Sequence, residues 1–419
     1  MNTSKRFRSC YKINKFEEVN SVCDERDSIS RERCQLFVDK LVSRTVYLDL
    51  IKKGIDEPVF FTVEEIRSLL GRDLHKERLQ ALINAGIIQP VYVENWHNSS
   101  QCRYAFRPLR LVPITLHPSS IKHKVIHNSL NLYYDYKRKD YSKEAKILIG
   151  HLRKTKIVCT AIDFFDEVKA IYPNYKKKTE AKGKKPMSLS RYLDNFHYIY
   201  ANIQGFNSAR GKEIYKYISE DDFGNRVHSI ITQLPGNIRN KFLRIKGESV
   251  IELDLAASQP TLLAKLLYQE HPDNIFFKAT NSSMDIYEYL SEIFHFGDRE
   301  TAKIEVMRMI NGRVNGKPHK LLKSVDFKTA EILEKWKDSN HKNVASKLQR
   351  KESFIFRPIW RKLNGAGISF VTVHDAVYIP KSKLNVAYQI MKNVLDNHLR
   401  GINWNIHVNL NQRLNLNVA

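Results

Sequence analysis

Val250-Ile-Glu-Leu-Asp254-Leu is a short, mostly aliphatic run of the kind that forms a buried strand. After an Ala-Ala-Ser turn, Thr261 to Tyr268 predicts the first turns of an apolar helix, which leaves Asp254 where strand passes into helix. Such an aspartate has two readings: a cap for the helix, or a carboxylate presented to a metal ion. The stretch alone favours the cap. Two further apolar runs flank His374-Asp375 within Ile368 to Pro380 and predict a hairpin with Asp375 in its tight turn, a place where aspartate is also ordinary.

Between these segments, Asp285 to Phe294 and Arg299 to Gly312 carry helical patterns. Arg299, Lys303, Met307 and Asn311 recur every four residues, so a helix aligns them in one gently drifting row. One reading of that row is a solvated face with Glu300 and Glu305 as ion-pair partners. The other is a surface for a nucleoside triphosphate, with Arg299 and Lys303 on the phosphates, Met307 against the base and Asn311 beside the templating pair. In that second reading Lys303 also protonates the departing pyrophosphate.

The N-terminal half is patterned differently. Val63 to Leu70 and His75 to Ala85 read as helices, Gly86-Ile-Ile opens a strand to about Val93, and Cys102 to Pro108 reads as its partner. Helix, helix and a two-stranded wing is the order of a winged helix, which serves either as a nucleic-acid reader or as a small structural subdomain. Residues 1–48 are polar and basic and read as an arm, while Leu109 to Tyr200 looks mainly helical. That region contains Tyr175-Lys-Lys-Lys-Thr-Glu-Ala-Lys-Gly-Lys-Lys-Pro186, read as an exposed loop that is either solvated or turned to phosphates. The expected division is an arm at 1–48, a winged-helix-like unit at 49–118, a helical, basic, thumb-like region at 119–201 and the chemistry-bearing part at 202–419.

Charge sharpens this picture. The 419 residues hold 69 Lys plus Arg against 45 Asp plus Glu, a net +24, together with 20 Tyr and 20 Phe. Cations neutralise phosphates and aromatic rings stack on unpaired bases, so a polynucleotide is the expected partner. The chain has no run of about eighteen apolar residues, and Met1 to Asn20 lacks the apolar stretch of a secretory signal. A soluble cytoplasmic protein without a membrane partner is therefore expected. Five irregularly spaced cysteines indicate neither a disulfide framework nor a zinc site.

An aspartate at a strand end and another at a hairpin tip are what two-metal phosphoryl transfer needs, since both must bridge Mg²⁺ ions about 3.5–4 Å apart. Glu252 shares the strand face of Asp254 and reads as a surface charge in preference to an outer metal ligand.

The order of these segments resembles the palm and fingers of family A DNA polymerases and of the related single-subunit RNA polymerases of phages and mitochondria. Asp254 stands at the motif A aspartate, Arg299, Lys303 and Gly312 match the fingers-helix motif, and His374-Asp375 matches motif C. Asp222-Phe-Gly-Asn-Arg226-Val-His-Ser229 with Leu234-Pro235 resembles the segment that contacts the primer-template duplex. Val386 to Leu399 and the strand after Gly401-Ile-Asn-Trp404 complete the likeness, which covers about half the chain. Two positions depart from the family. Asn311 replaces the usual tyrosine before the fingers-helix glycine, and Gln259 stands where the DNA polymerases carry the glutamate that screens out a ribose 2′-hydroxyl.

The resemblance implies an α+β right-hand polymerase. It has an antiparallel palm sheet, helical fingers inserted at about 270–345, and a mainly helical N-terminal half with the winged-helix-like unit. The implied activity is template-directed nucleotidyl transfer to a 3′-hydroxyl by a compact DNA polymerase of phage or mobile-element type. Primase or RNA polymerase action is the alternative, and a non-catalytic DNA-binding replication initiator is the alternative from another class. Two Mg²⁺ ions, with Mn²⁺ as substitute, fall to Asp254, Asp375 and Leu255. Arg299, Lys303, Met307, Asn311 and Gln259 fall to the nucleotide, and Arg226, His374 and Gln349 to the primer-template. Glu352, on the same predicted helix as Gln349, is placed near the palm floor.

Overall fold

The computed structural model describes residues 12–23, 27–52, 58–91, 103–108, 116–120, 123, 125–126, 128–130, 141–181, 183–338 and 340–409. The chain divides into two compact units that do not follow chain order. One gathers 1–141, 156–218 and 233–242, the other 142–155, 219–232 and 243–419.

In chain order the first unit begins with β1 (Lys12–Phe16) and α1 (Ser28–Lys52), a helix that runs unbroken across position 48. There follow β2 (Val59–Thr62), α2 (Val63–Leu70), α3 (His75–Asn84), β3 (Ile88–Pro90), β4 (Arg103–Pro108) and β5 (Leu116–Ser120). The two helices and two strands expected here are present, and β2 joins them in a sheet of order β2-β4-β3. The strand from Gly86 is shorter than its pattern suggested, and the stretch 92–102 lies outside the described residues. Thr62 caps α2 through the Glu65 amide, and Gly71 ends it at φ 95°, where a Cβ would lie 2.7 Å from an Arg78 nitrogen. Phe37, Phe61 and Phe106 form the local core, with ring centroids 5.0 and 5.8 Å from Phe37.

Farther along come α4 (Lys143–Leu152), which belongs to the second unit, and β6 (Thr155–Ile157) at the join. Helices α5 (Ala161–Glu180) and α6 (Leu189–Ser208) return to the first. The lysine-rich loop expected from Tyr175 needs correction, because α5 continues through Glu180 and only the described residues after it are non-helical. Lysine and glutamate are good helix formers, so a charged run need not interrupt a helix whose other face holds buried Phe164, Val168 and Ile171.

The second unit is built on an antiparallel sheet. A hairpin of β7 (Ile218–Glu220) and β8 (Val227–Ser229) comes first, and α7 (Gly236–Phe242) follows within the first unit. Next are β9 (Leu243–Ile245) and the long β10 (Glu248–Leu255), whose alternate residues Ile251, Leu253 and Leu255 are buried. Helix α8 (Ser258–Leu267) leads into α9 (Ile275–Thr280), α10 (Ile286–Phe294), α11 (Arg299–Asn311), α12 (Lys317–Val325) and α13 (Phe327–Lys337). The chain returns through α14 (Asn343–Gly365), β11 (Val371–Val373), β12 (Ala376–Pro380), α15 (Leu384–His398) and β13 (Ile406–Asn409). The strands run β11-β12-β10-β9, and β13 also pairs with β10, on the edge opposite β12. Helix α14 packs on α8 and α15, and buries Leu348, Ile355, Phe356 and Ile359. Among the described residues no helix is long and apolar enough to cross a membrane.

Candidate active site

Strand β10 carries Asp254 one residue from its end, paired with Ala376, the residue next to Asp375. The Leu255 amide donates to the Asp375 carbonyl at 3.2 Å, so the strand end and the hairpin tip are tied together through the backbone. The two aspartates are thereby neighbours. The helix-cap reading of Asp254 is overturned: α8 begins at Ser258, and its N-cap is Ala257, which stands at φ 47° and receives no side-chain cap. The last strand residue, Leu255, and a two-residue turn separate the carboxylate from the helix start, so it does not cap the free amides there.

The hairpin forms as its pattern predicts. Val373 pairs with Ala376, leaving His374 and Asp375 as the two turn residues. His374 takes the left-handed conformation, φ 56°, which a non-glycine residue adopts at a cost that the flanking buried strands offset. Its ring lies edge-on to His228 with centroids 5.8 Å apart, and His228 Nε2 is 2.6 Å from an Asp221 oxygen.

Electrostatics single out the pair. Burial pushes Asp254 up to about 8, the charges of Asp375 and Glu252 add to the rise, and Lys303 opposes it. Burial also raises Asp375, against the opposing effects of Arg226 and the Ser258 hydroxyl. Glu252 is not the free surface charge expected. It is half-buried, accepts from the Tyr378 hydroxyl, and accepts from Asn409 Nδ2 at 3.2 Å. Leu255, with its side chain buried, can offer a cation only its main-chain carbonyl. Two desolvated carboxylates in one another's field form a hard-oxygen site short of positive charge, and that suits a divalent cation. Among the described residues no cluster of three or more His, Cys, Asp or Glu side chains closes around a metal position.

Helix α11 holds the row Arg299, Lys303, Met307 and Asn311. Asp298 caps it through the Thr301 amide. Arg299 grips Asp285 with two bonds of 3.0 Å, and Asp285 in turn caps α10. Burial works to raise Asp285, but Arg299 and the Tyr287 amide outweigh it and hold the carboxyl below its usual range. Of the two expected acidic partners, Glu300 lies 3.5 Å from Arg299, whereas Glu305 pairs with Arg308. Lys303 is exposed and has no carboxylate partner within ion-pair distance among the described residues. The buried Tyr287 ring underlies both cations, 5.5 Å from the Arg299 guanidinium and 6.0 Å from Lys303 Nζ. Met307 is half-buried on the same helix. At its end Asn311 Nδ2 donates to Gln259 Oε1 at 3.2 Å, while Asn311 Oδ1 is buried without a protein partner among the described residues.

Arg226 and Glu352 meet in a bidentate pair, with bonds of 2.9 and 2.6 Å. Burial and the charge of Asp375 push Glu352 up to about 7 in spite of Arg226. The guanidinium of Arg226 is thus mostly enclosed and engaged with a carboxylate. Helix α14 also holds the preceding loop: Arg350 donates to the carbonyls of Asp222 and Phe223 at 2.9 and 3.1 Å, and Ser353 to that of Gly224 at 2.8 Å. Gln349 lies so close that a Cβ on Gly224 would come within 2.7 Å of its own Cβ. Sequence reasoning missed Ser258 and the role of Tyr287. No periodicity marks either one, although Tyr287 lies in the Asp285-Ile-Tyr segment already singled out.

No protein-family model and no curated protein sequence matches the chain. Among solved structures it is similar to the POL domain of Pol1 from M. smegmatis in complex with DNA primer-template and dNTP. The TM-score is 0.45 at 9% identity, over 68% of this chain and 72% of that one.

Proposed function

We propose that the protein is a template-directed nucleotidyltransferase, a DNA polymerase of the family A kind with Asp254 and Asp375 at its reaction centre. The observation that carries the reading is the meeting of these two half-buried carboxylates at a strand end and a hairpin tip, with Lys303 in the field of Asp254.

In this reading Asp254, Asp375 and the Leu255 carbonyl hold divalent cations. Bound there, Mg²⁺ supplies polarisation of the attacking 3′-oxygen and countercharge for the pyrophosphate. Lys303 and Arg299 bind the triphosphate, and Lys303 delivers a proton to the leaving pyrophosphate oxygen. Tyr287 keeps the two cations in register from below, and Asp285 sets the plane of the Arg299 guanidinium. Met307 faces the base. Arg226, held by Glu352, shields Asp375 from within, and Gln349 and His374 line the path of the primer-template. The work of the chain is alignment and charge placement, not covalent chemistry.

The Asn311–Gln259 amide pair favours a second reading in which ribonucleotides are also accepted, because a neutral amide can donate to a 2′-hydroxyl where a carboxylate cannot. The deciding experiment incubates a labelled primer-template with Mg²⁺ and either dNTPs or rNTPs. Primer extension is the expected result and reports sugar choice at once. Shortening of the primer would replace polymerase with nuclease, and binding without either change would leave the initiator reading.

A further inference from the structure

Directly opposed residues of an antiparallel pair project to the same face of a sheet, and β10 has a partner on each side. Opposite Glu252 stand Tyr378 on β12 and Asn409 on β13. Both side chains reach it, the Tyr378 hydroxyl on one carboxylate oxygen and Asn409 Nδ2 on the other, which verifies the shared face. Two residues along, the same register sets Asp254 between Ala376 and His407. Ala376 is buried and has no polar side-chain atom, whereas His407 is exposed. The β13 flank of Asp254 therefore presents an imidazole to solvent on the face that carries the carboxylate, across the strand from the hairpin tip that holds Asp375.

From this arrangement we infer that His407 is a substrate-binding residue, donating a hydrogen bond from its ring to the terminal phosphodiester of the strand whose 3′-oxygen is extended. The inference rests on the polymerase reading and names a contact for it. The triphosphate has Arg299 and Lys303, but the attacking end must also be fixed beside Asp254, because in-line transfer tolerates little misalignment. An imidazole N–H beside that carboxylate is a directional donor matched to a phosphate oxygen.

The test compares steady-state extension of a recessed primer by the wild type, His407→Ala and His407→Gln. The alanine variant is expected to raise the KM for primer-template by about 10-fold, with the nucleotide KM and kcat little changed. The glutamine variant, which keeps an N–H donor, is expected to recover most of that loss. A primer whose terminal linkage is a methylphosphonate should weaken the wild type by a similar factor and leave His407→Ala unaffected. An unchanged primer KM in the alanine variant, a rise in nucleotide KM instead, or equal methylphosphonate sensitivity in the two proteins would each overturn the assignment. Failure of the wild type to extend any primer would instead sink the polymerase reading, so the two failures are distinguishable.

Discussion

Asn311 on α11 donates to Gln259 on α8 across 3.2 Å, and so joins the helix that carries Arg299 and Lys303 to the helix that follows Asp254. If this pair lies at the sugar of the incoming nucleotide, replacing the Gln259 amide by a carboxylate removes a donor for the 2′-hydroxyl and keeps the acceptor for Asn311. Gln259→Glu is expected to lower kcat/KM for rNTPs by about 10-fold relative to dNTPs. The ratio is read from single-nucleotide incorporation. An unchanged ratio places the pair away from the sugar.

Asp254→Asn and Asp375→Asn are each expected to cut primer extension by about 10³-fold or more while leaving primer-template affinity within about twofold. Mg²⁺ should raise the melting temperature of the wild type and of neither variant, since a ligand stabilises only the fold that binds it. Extension by either variant near the wild-type rate would show the carboxylates to be structural.

The Arg226–Glu352 pair is enclosed, with side chains 14% and 3% exposed. Removing one partner strands the other charge, so Arg226→Met is expected to cost about 3–5 kcal/mol. Arg226→Met with Glu352→Met should recover much of that loss, because an apolar pair leaves no charge uncompensated. Urea unfolding of the three proteins measures it, and an additive double variant would argue against a coupled pair.

Lys337 is buried with its Nζ donating to the Met309 carbonyl at 2.9 Å. Burial lowers its pKa from 10.5 to about 8, in spite of Glu334. Between those values the unfolded chain holds the proton more often than the folded one, so this residue makes stability rise as pH increases. The unfolding free energy of the wild type relative to Lys337→Met should therefore increase from pH 8 to about 10. A flat difference across that window would show that the ammonium is solvated in the fold.

Much of the arrangement of the candidate site was readable because its signals are local. The four-residue recurrence of Arg299, Lys303, Met307 and Asn311 makes them one helix row whatever surrounds it, and apolar runs on both sides of His374-Asp375 form the hairpin. The lysines after Tyr175 misled because charge reports solvation, not the absence of helix, and α5 continues through the first three of them. Glu252 looked like a surface charge for a similar reason, since its partners Tyr378 and Asn409 lie 126 and 157 residues away.

By itself, then, the order of residues marked most of the elements and the positions proposed to bear chemistry, because helix and strand periods depend on near neighbours. Only the tertiary structure decided whether Asp254 caps a helix or faces Asp375, that Arg226 is held by Glu352, and that His407 flanks Asp254. Each of those outcomes depends on strand register and helix packing between segments far apart in the chain. A one-residue slip in the β10 pairings would turn the same side chains to the opposite face.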